Sequence, residues 1–132
     1  MRILIAEDDY VSRKFMFKFL SKFGECDVTV DGMEAIEVFL MALEEKNYYD
    51  LVCLDIMMPE VDGIKALKTI RKLEQERNLP KAFKTKVVMT TALNNTDKVM
   101  TSFSSGSEAY AVKPIDTQKL TEVLQKLGFE IS

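Results

Sequence analysis

The sequence predicts an α/β fold of the doubly wound (βα)5 kind, and three observations predict it. Five apolar, strand-length segments alternate with five segments of helical periodicity along the 132 residues. No linker or internal repeat interrupts them. The strand-like segments end in polar or charged residues, namely Glu7-Asp8-Asp9, Asp55, Thr91 and Lys113. Strands that alternate with helices imply a parallel sheet covered on both faces and joined by right-handed crossovers. In such sheets, ligands and chemistry gather at the C-terminal strand ends.

The elements follow in order. Arg2 to Ala6 is an apolar strand that stops at three acids. In the helix after it, Phe15, Met16, Phe19, Leu20 and Phe23 share one face, Phe17 lies off that face, and Gly24 reads as the stop. Glu25 to Val30 is a shorter strand, and Asp31-Gly32 makes the turn. The next helix runs from about Met33 to Lys46 with Ala35, Ile36, Phe39, Leu40 and Leu43 inward. Leu51 to Leu54 is a buried strand ending in Asp55, and Pro59 and the turn pair Asp62-Gly63 follow it. A helix from about Gly63 to Glu76 buries Ile64, Leu67 and Ile70, with Leu73 at its edge. Arg77 to Thr85 reads as a solvated, basic loop.

Lys86 to Thr90 is the fourth strand, ending in Thr90-Thr91-Ala92. Leu93 to Ser107 is the weakest segment: Asn94, Asn95 and Thr96 suit a helix cap, and Val99, Met100 and Phe103 a short apolar face. Its Ser and Thr content predicts a short or frayed helix. Ala109 to Val112 is the fifth strand, and it meets Lys113-Pro114. Asp116 caps the last helix, Leu120, Val123, Leu124 and Leu127 face inward, and Gly128 ends it.

Composition narrows the function. An apolar fraction of 47% and a charged fraction of 30% are ordinary for a globular domain, and we expect a single one over residues 1–132. A net charge of −3 argues against a nucleic-acid surface. No apolar run approaches the roughly 20 residues of a membrane span, and no leader precedes the first strand. Cys26 and Cys53 sit in strands and read as reduced core residues of a cytoplasmic protein. The absence of histidine excludes a His-based triad, a His metal site and a phospho-histidine carrier.

A parallel sheet brings Glu7, Asp8, Asp55, Thr91 and Lys113 to one edge. Carboxylates gathered there repel one another unless a cation joins them, and an all-oxygen set suits a hard one, Mg²⁺. Lys113 adds an ammonium and Thr91 a hydroxyl. Metal, ammonium and hydroxyl could together contact a phosphoryl group on Asp55, since phosphoryl transfer asks mostly for positioning and charge neutralisation.

Four motifs in this order carry a resemblance: Ile3 to Asp8, Tyr49 to Gly63 around Asp55, Thr91-Ala92, and Tyr110-Ala111-Val112-Lys113-Pro114. Over nearly its whole length the chain resembles the response-regulator receiver domains of two-component signalling, the chemotaxis (CheY-like) and sporulation receivers among them. The resemblance implies a flavodoxin-like sheet of order 2-1-3-4-5. It implies that Asp55 accepts phosphate from a histidine kinase or phosphotransfer histidine. Asp8, Asp55 and the backbone carbonyl of Met57 would hold Mg²⁺, with Glu7 acting through a water and Asp9 in support. Thr91 and Lys113 would contact the phosphoryl group, Tyr110 would be the rotamer switch, and a cis bond to Pro114 would aim the lysine. Output would pass to a downstream protein by contact or by relay, from a monomer or a weak dimer formed on phosphorylation.

The pattern departs from the family at Met57 and Leu93, two residues after Asp55 and Thr91. Apolar groups there are expected to exclude water and prolong the phosphorylated state. Phe17 is a candidate partner contact. Each residue also has a plain reading: Asp55 as a turn acid, Glu7 and Asp8 as helix caps, Thr91 at a helix entry, Lys113 on the surface, Tyr110 as an ordinary strand residue. Other functions weighed are a haloacid-type phosphatase, which wants an acid where Met57 stands, and a flavodoxin-like electron carrier, whose phosphate Glu7-Asp8-Asp9 would repel. A receiver cut from a hybrid kinase or larger regulator is a further reading, although the initial Met and the stop at Gly128 suggest a whole chain.

Overall fold

The computed structural model describes residues 1–92 and 96–131. Its elements are β1 (Arg2–Ala6), α1 (Tyr10–Leu20), β2 (Glu25–Thr29), α2 (Gly32–Glu44), β3 (Leu51–Asp55), α3 (Gly63–Glu76), a 3-10 turn at Lys81–Phe83, β4 (Lys86–Thr91), α4 (Thr96–Ser104), β5 (Ala109–Val112) and α5 (Thr117–Lys126). The strands form one parallel sheet in the order β2-β1-β3-β4-β5.

Alternation along the strands divides the core into two layers. Leu4, Val52, Leu54, Val87 and Met89 face Phe39 of α2 and Leu67 and Ile70 of α3. Ile3, Ile5, Leu51, Cys53 and Val88 face Met16 and Leu20 of α1 and Leu120 and Leu124 of α5. The central strand β3 is buried along its whole length, which is why Leu51 to Leu54 reads as an unbroken apolar run.

Four helices start on an aspartate. Asp9, Asp31, Asp62 and Asp116 accept the backbone N–H of Ser12, Glu34, Lys65 and Lys119 at 2.9, 2.8, 2.9 and 2.8 Å. The helix-cap role considered for Glu7 and Asp8 therefore falls to Asp9, which leaves the other two free to turn into the sheet edge.

Several boundaries differ from the expectation. α1 stops at Leu20, four residues before Gly24. Gly24 is required instead by close approach, because a Cβ there would lie 2.2 Å from the Met1 carbonyl oxygen. α2 stops at Glu44, and Lys46 takes the left-handed conformation (φ 55°) while Asn47 donates back to the Ala42 carbonyl at 2.9 Å. The loop after α3 contains the 3-10 turn, and Phe83 packs on Tyr48 with ring centroids 5.5 Å apart. α4 is short, as its composition suggests, but Met100 and Phe103 point to solvent, and Val99 and Ser102 are the buried positions. The expected cap at Asn94 and Asn95, and Leu93, lie outside the described residues. Cys26 is half-buried and Cys53 buried, and both are free.

Gly63 fixes the loop after β3. Its Cβ would sit 2.1 Å from the carbonyl oxygen of Asp55, and its N–H donates to the Ile56 carbonyl at 2.9 Å. Gly63→Ala must push α3 away from the strand end. We expect a loss of about 3 kcal/mol, read as a lower urea midpoint.

Candidate functional site

Strand register assembles the edge. Ala6 pairs with Leu54, so Glu7 and Asp55 lie side by side one step further along β1 and β3. Asp55 pairs with Thr90, and Thr91 pairs with Val112, so Thr91 and Lys113 continue the row. Backbone bonds hold these ends in place: Glu7 N–H to the Thr29 carbonyl (3.1 Å), Ile56 N–H to Thr90 (2.9 Å) and Lys113 N–H to Thr91 (2.7 Å).

The side chains converge. Carboxylate oxygens of Glu7, Asp8 and Asp55 all lie within 4.8 Å of one another. The Lys113 ammonium sits 2.8 Å from Glu7 Oε1 and 3.1 Å from Asp55 Oδ2. Met57 N–H donates to Asp55 Oδ1 at 3.2 Å. Glu7 and Asp55 are buried, while Asp8 reaches solvent. The Lys113-Pro114 bond is cis.

The electrostatics follow from this crowding. Burial, then the Glu7 carboxylate, push Asp55 up to about 6, with Lys113 pulling the other way. Desolvation, then the neighbouring Asp55, raise Asp8 above the usual carboxylate range. Burial pulls the Lys113 ammonium down, but Glu7 and Asp55 together outweigh it and hold it above its ordinary value. Asp9 is held low by the Ser12 N–H that it caps. Three carboxylates facing one ammonium leave a surplus of negative charge, and their oxygens are the donors that a hard divalent cation prefers.

Two expected residues stand apart from the acids. The Thr91 hydroxyl is buried and donates to the Ala92 carbonyl at 3.2 Å. Tyr110 is 42% exposed and meets Phe103 edge-on at 5.7 Å. Met57 is 53% exposed beside Asp55, and Phe17 is 45% exposed on α1.

Sequence reasoning missed Arg13. From the first turns of α1 its guanidinium donates to the carbonyls of Glu7 (2.9 Å) and Asp8 (3.2 Å), tying down the loop that carries both acids. No motif marks it, because both of its partners are backbone carbonyls. Arg13→Ala should weaken Mg²⁺ binding about tenfold by titration calorimetry, with Arg13→Lys intermediate.

The family model described as the response regulator receiver domain matches residues 3–125, and the chain belongs to this family of signalling domains. The peroxide stress-activated histidine kinase mak1 of Schizosaccharomyces pombe is 32% identical over 123 residues, 92% of this chain and 7% of the kinase. Transcription factor SKN7 of Saccharomyces cerevisiae is 35% identical over 124 residues, 92% of this chain and 18% of the factor. The chain thus spans a small part of the length of these relatives. A chain of the CheX–CheY–BeF3–Mg²⁺ complex of Borrelia burgdorferi matches with a TM-score of 0.82 at 25% identity, covering 98% of this chain and 90% of that one. No helix among the described residues is long and apolar enough to cross a membrane.

Proposed function

We propose that residues 1–132 are a single receiver domain working in the cytoplasm as a phosphoacceptor switch, with Asp55 as the acceptor. The observation that carries this reading is Asp55 itself: a buried carboxylate at a strand end, crowded by two further acids and contacted by one ammonium. The donor is a phospho-histidine of a kinase or phosphotransfer protein. An Asp55 oxygen forms the new P–O bond as the donor's P–N bond breaks, and the imidazole leaves with a proton. Mg²⁺ held by Asp8, Asp55 and the Met57 carbonyl, with Glu7 through a water, would neutralise charge on the incoming group.

The remaining residues follow from their places. Lys113 is already within 3.1 Å of Asp55 and pairs with the added phosphoryl oxygens. Thr91 exchanges its Ala92 partner for the phosphoryl group, and Tyr110 leaves Phe103 and turns inward. The change is a population shift toward the inward state, read by a downstream protein or passed on in a relay. The chain acts on no substrate beyond its own acceptor. This chemistry is the same whether the receiver works alone, as a weak phosphorylation-dependent dimer, or within a longer chain. Phe17 is proposed as a contact for the phosphate donor.

The test is incubation with acetyl phosphate. With Mg²⁺ the protein gains one acid-stable, base-labile phosphoryl group by intact mass, and with EDTA it gains none. Labelling that ignores the metal contradicts the reading. Met57 adds a prediction about lifetime, because its exposed thioether sits where water must approach the acyl phosphate. The labelled protein should persist for minutes, and Met57→Asn should shorten that severalfold. Loss of the wild-type label within seconds would overturn this role.

A further inference from the structure

The sheet edge opposite Asp55 is basic and aromatic. From residue 77 to residue 86 the chain holds Arg77, Lys81, Lys84 and Lys86 but neither Asp nor Glu, in a protein of net charge −3. The 3-10 turn Lys81–Phe83 leads into β4, where Lys86 pairs with Leu51 at the start of β3. Two hollows meet at this segment, and Lys84 and Lys86 line both. One, of about 190 Å³, is aromatic, with Tyr48, Phe83 and Phe129 in its lining. Phe83 is 53% exposed, and its ring centroid is 5.5 Å from that of Tyr48. The other, of about 580 Å³, is charged and adds Arg71, Glu74, Lys81 and Glu108.

The acids of both hollows are already engaged. Glu74 is bound by Arg71 at 2.7 Å and by the Thr85 N–H at 2.8 Å. Glu108 is bound by Arg71 at 2.6 Å and by the Val87 N–H at 2.6 Å. Asp50, beside the aromatic rings, accepts the Arg2 N–H at 2.8 Å. Lys81, Lys84 and Lys86 are in no ion pair among the described residues, so their charge is unmatched.

We propose that the two hollows form one site for a nucleoside polyphosphate, its base against Phe83 and Tyr48 and its phosphates on Lys81, Lys84 and Lys86. Aromatic side chains stack on the flat face of any base. Ammonium groups pair with phosphate oxygens as point charges. The shared lysines require a ligand with a flat ring at one end and clustered negative charge at the other. A free polyphosphate meets only the lysines, and a nucleoside only the rings. The site goes beyond the phosphoacceptor reading and does not depend on it. It lies at the N-terminal strand ends and Asp55 at the C-terminal end of β3, so the two can be occupied together.

The test titrates the full ¹⁵N-labelled chain in EDTA with ATP, with tripolyphosphate and with adenosine. ATP should shift the amides of residues 48–50, 81–86 and 127–129 in a saturable way. Tripolyphosphate and adenosine should each bind about tenfold or more weakly than ATP. Lys81→Glu/Lys84→Glu should lose about tenfold or more in affinity for ATP. Phe83→Ala should lose about fivefold for ATP and nothing for tripolyphosphate. All three of these side chains are exposed, so thermal melting of both variants should match the parent. Equal binding of ATP and tripolyphosphate would overturn the proposal, because it makes the segment a surface for polyphosphate alone. So would the absence of a saturable shift, or shifts confined to the Glu7, Asp55 and Lys113 edge. A parent chain that takes no label from acetyl phosphate defeats the receiver reading, and the ATP titration still decides this one.

Discussion

Asp55→Asn takes no label from acetyl phosphate and, without Mg²⁺, is more stable than the parent. The first result follows because the amide cannot act as the nucleophile. The second follows from the environment of the acid. Burial and Glu7 hold the Asp55 carboxyl at about 6, against 3.8 for an unperturbed group. A carboxylate whose folded value is raised binds its proton more tightly when folded. Stability is therefore full below the unfolded value, falls as pH rises from about 4 to about 6, and is flat above. At pH 7 the parent carries this cost, of order 1–3 kcal/mol, and asparagine does not. Lys113 also pairs with Glu7 at 2.8 Å in the parent, so the substitution leaves it a partner. Thermal melts between pH 4 and 8 check the sign. Added Mg²⁺ should stabilise the parent and leave Asp55→Asn nearly unmoved.

Arg71→Met destabilises the protein by about 3–5 kcal/mol, the usual cost of leaving a buried charge without its partner. Glu74 is 1% exposed and is bound on one side by Arg71 (2.7 Å) and on the other by the Thr85 N–H (2.8 Å). The same guanidinium donates to the carbonyls of Gly106 (3.0 Å) and Thr85 (2.9 Å) and pairs with Glu108 at 2.6 Å. Glu108 in turn accepts the Val87 N–H at 2.6 Å. One side chain thus ties α3 to the starts of β4 and β5, at the opposite sheet edge from Asp55. Urea titration measures the loss. The double change Arg71→Met/Glu74→Gln should recover part of it, because the stranded charge is gone. Labelling of Asp55 by acetyl phosphate below the melting range should stay at the parental level.

The contrast between these two clusters shows what a sequence carries. Asp55 could be placed because a β-strand announces itself locally, through an apolar run, and because parallel order brings all strand ends to one side. Glu7, Asp8 and Lys113 then fell beside it by topology alone. Glu74 gave no such signal. It sits in a helix full of charges, and its partners are Thr85, 11 residues away, and, through Arg71, Glu108, which is 37 residues from that arginine. Arg13 was hidden for a related reason, since its bonds go to backbone carbonyls, which every residue has. Helix ends were the weakest reading. Gly24 looked like a stop because glycine often is one, yet the constraint there is contact with Met1. Lys46 closes α2 in a left-handed conformation that its side chain does not advertise.

The central claim is that Asp55 is the phosphoryl acceptor. Borohydride reduction of the acetyl phosphate-treated protein converts an aspartyl phosphate to homoserine, which peptide sequencing by mass spectrometry can place. The account predicts homoserine at position 55, formed only when Mg²⁺ was present. Homoserine at position 8 or 9 instead, or none in a protein that carries the label, would contradict it.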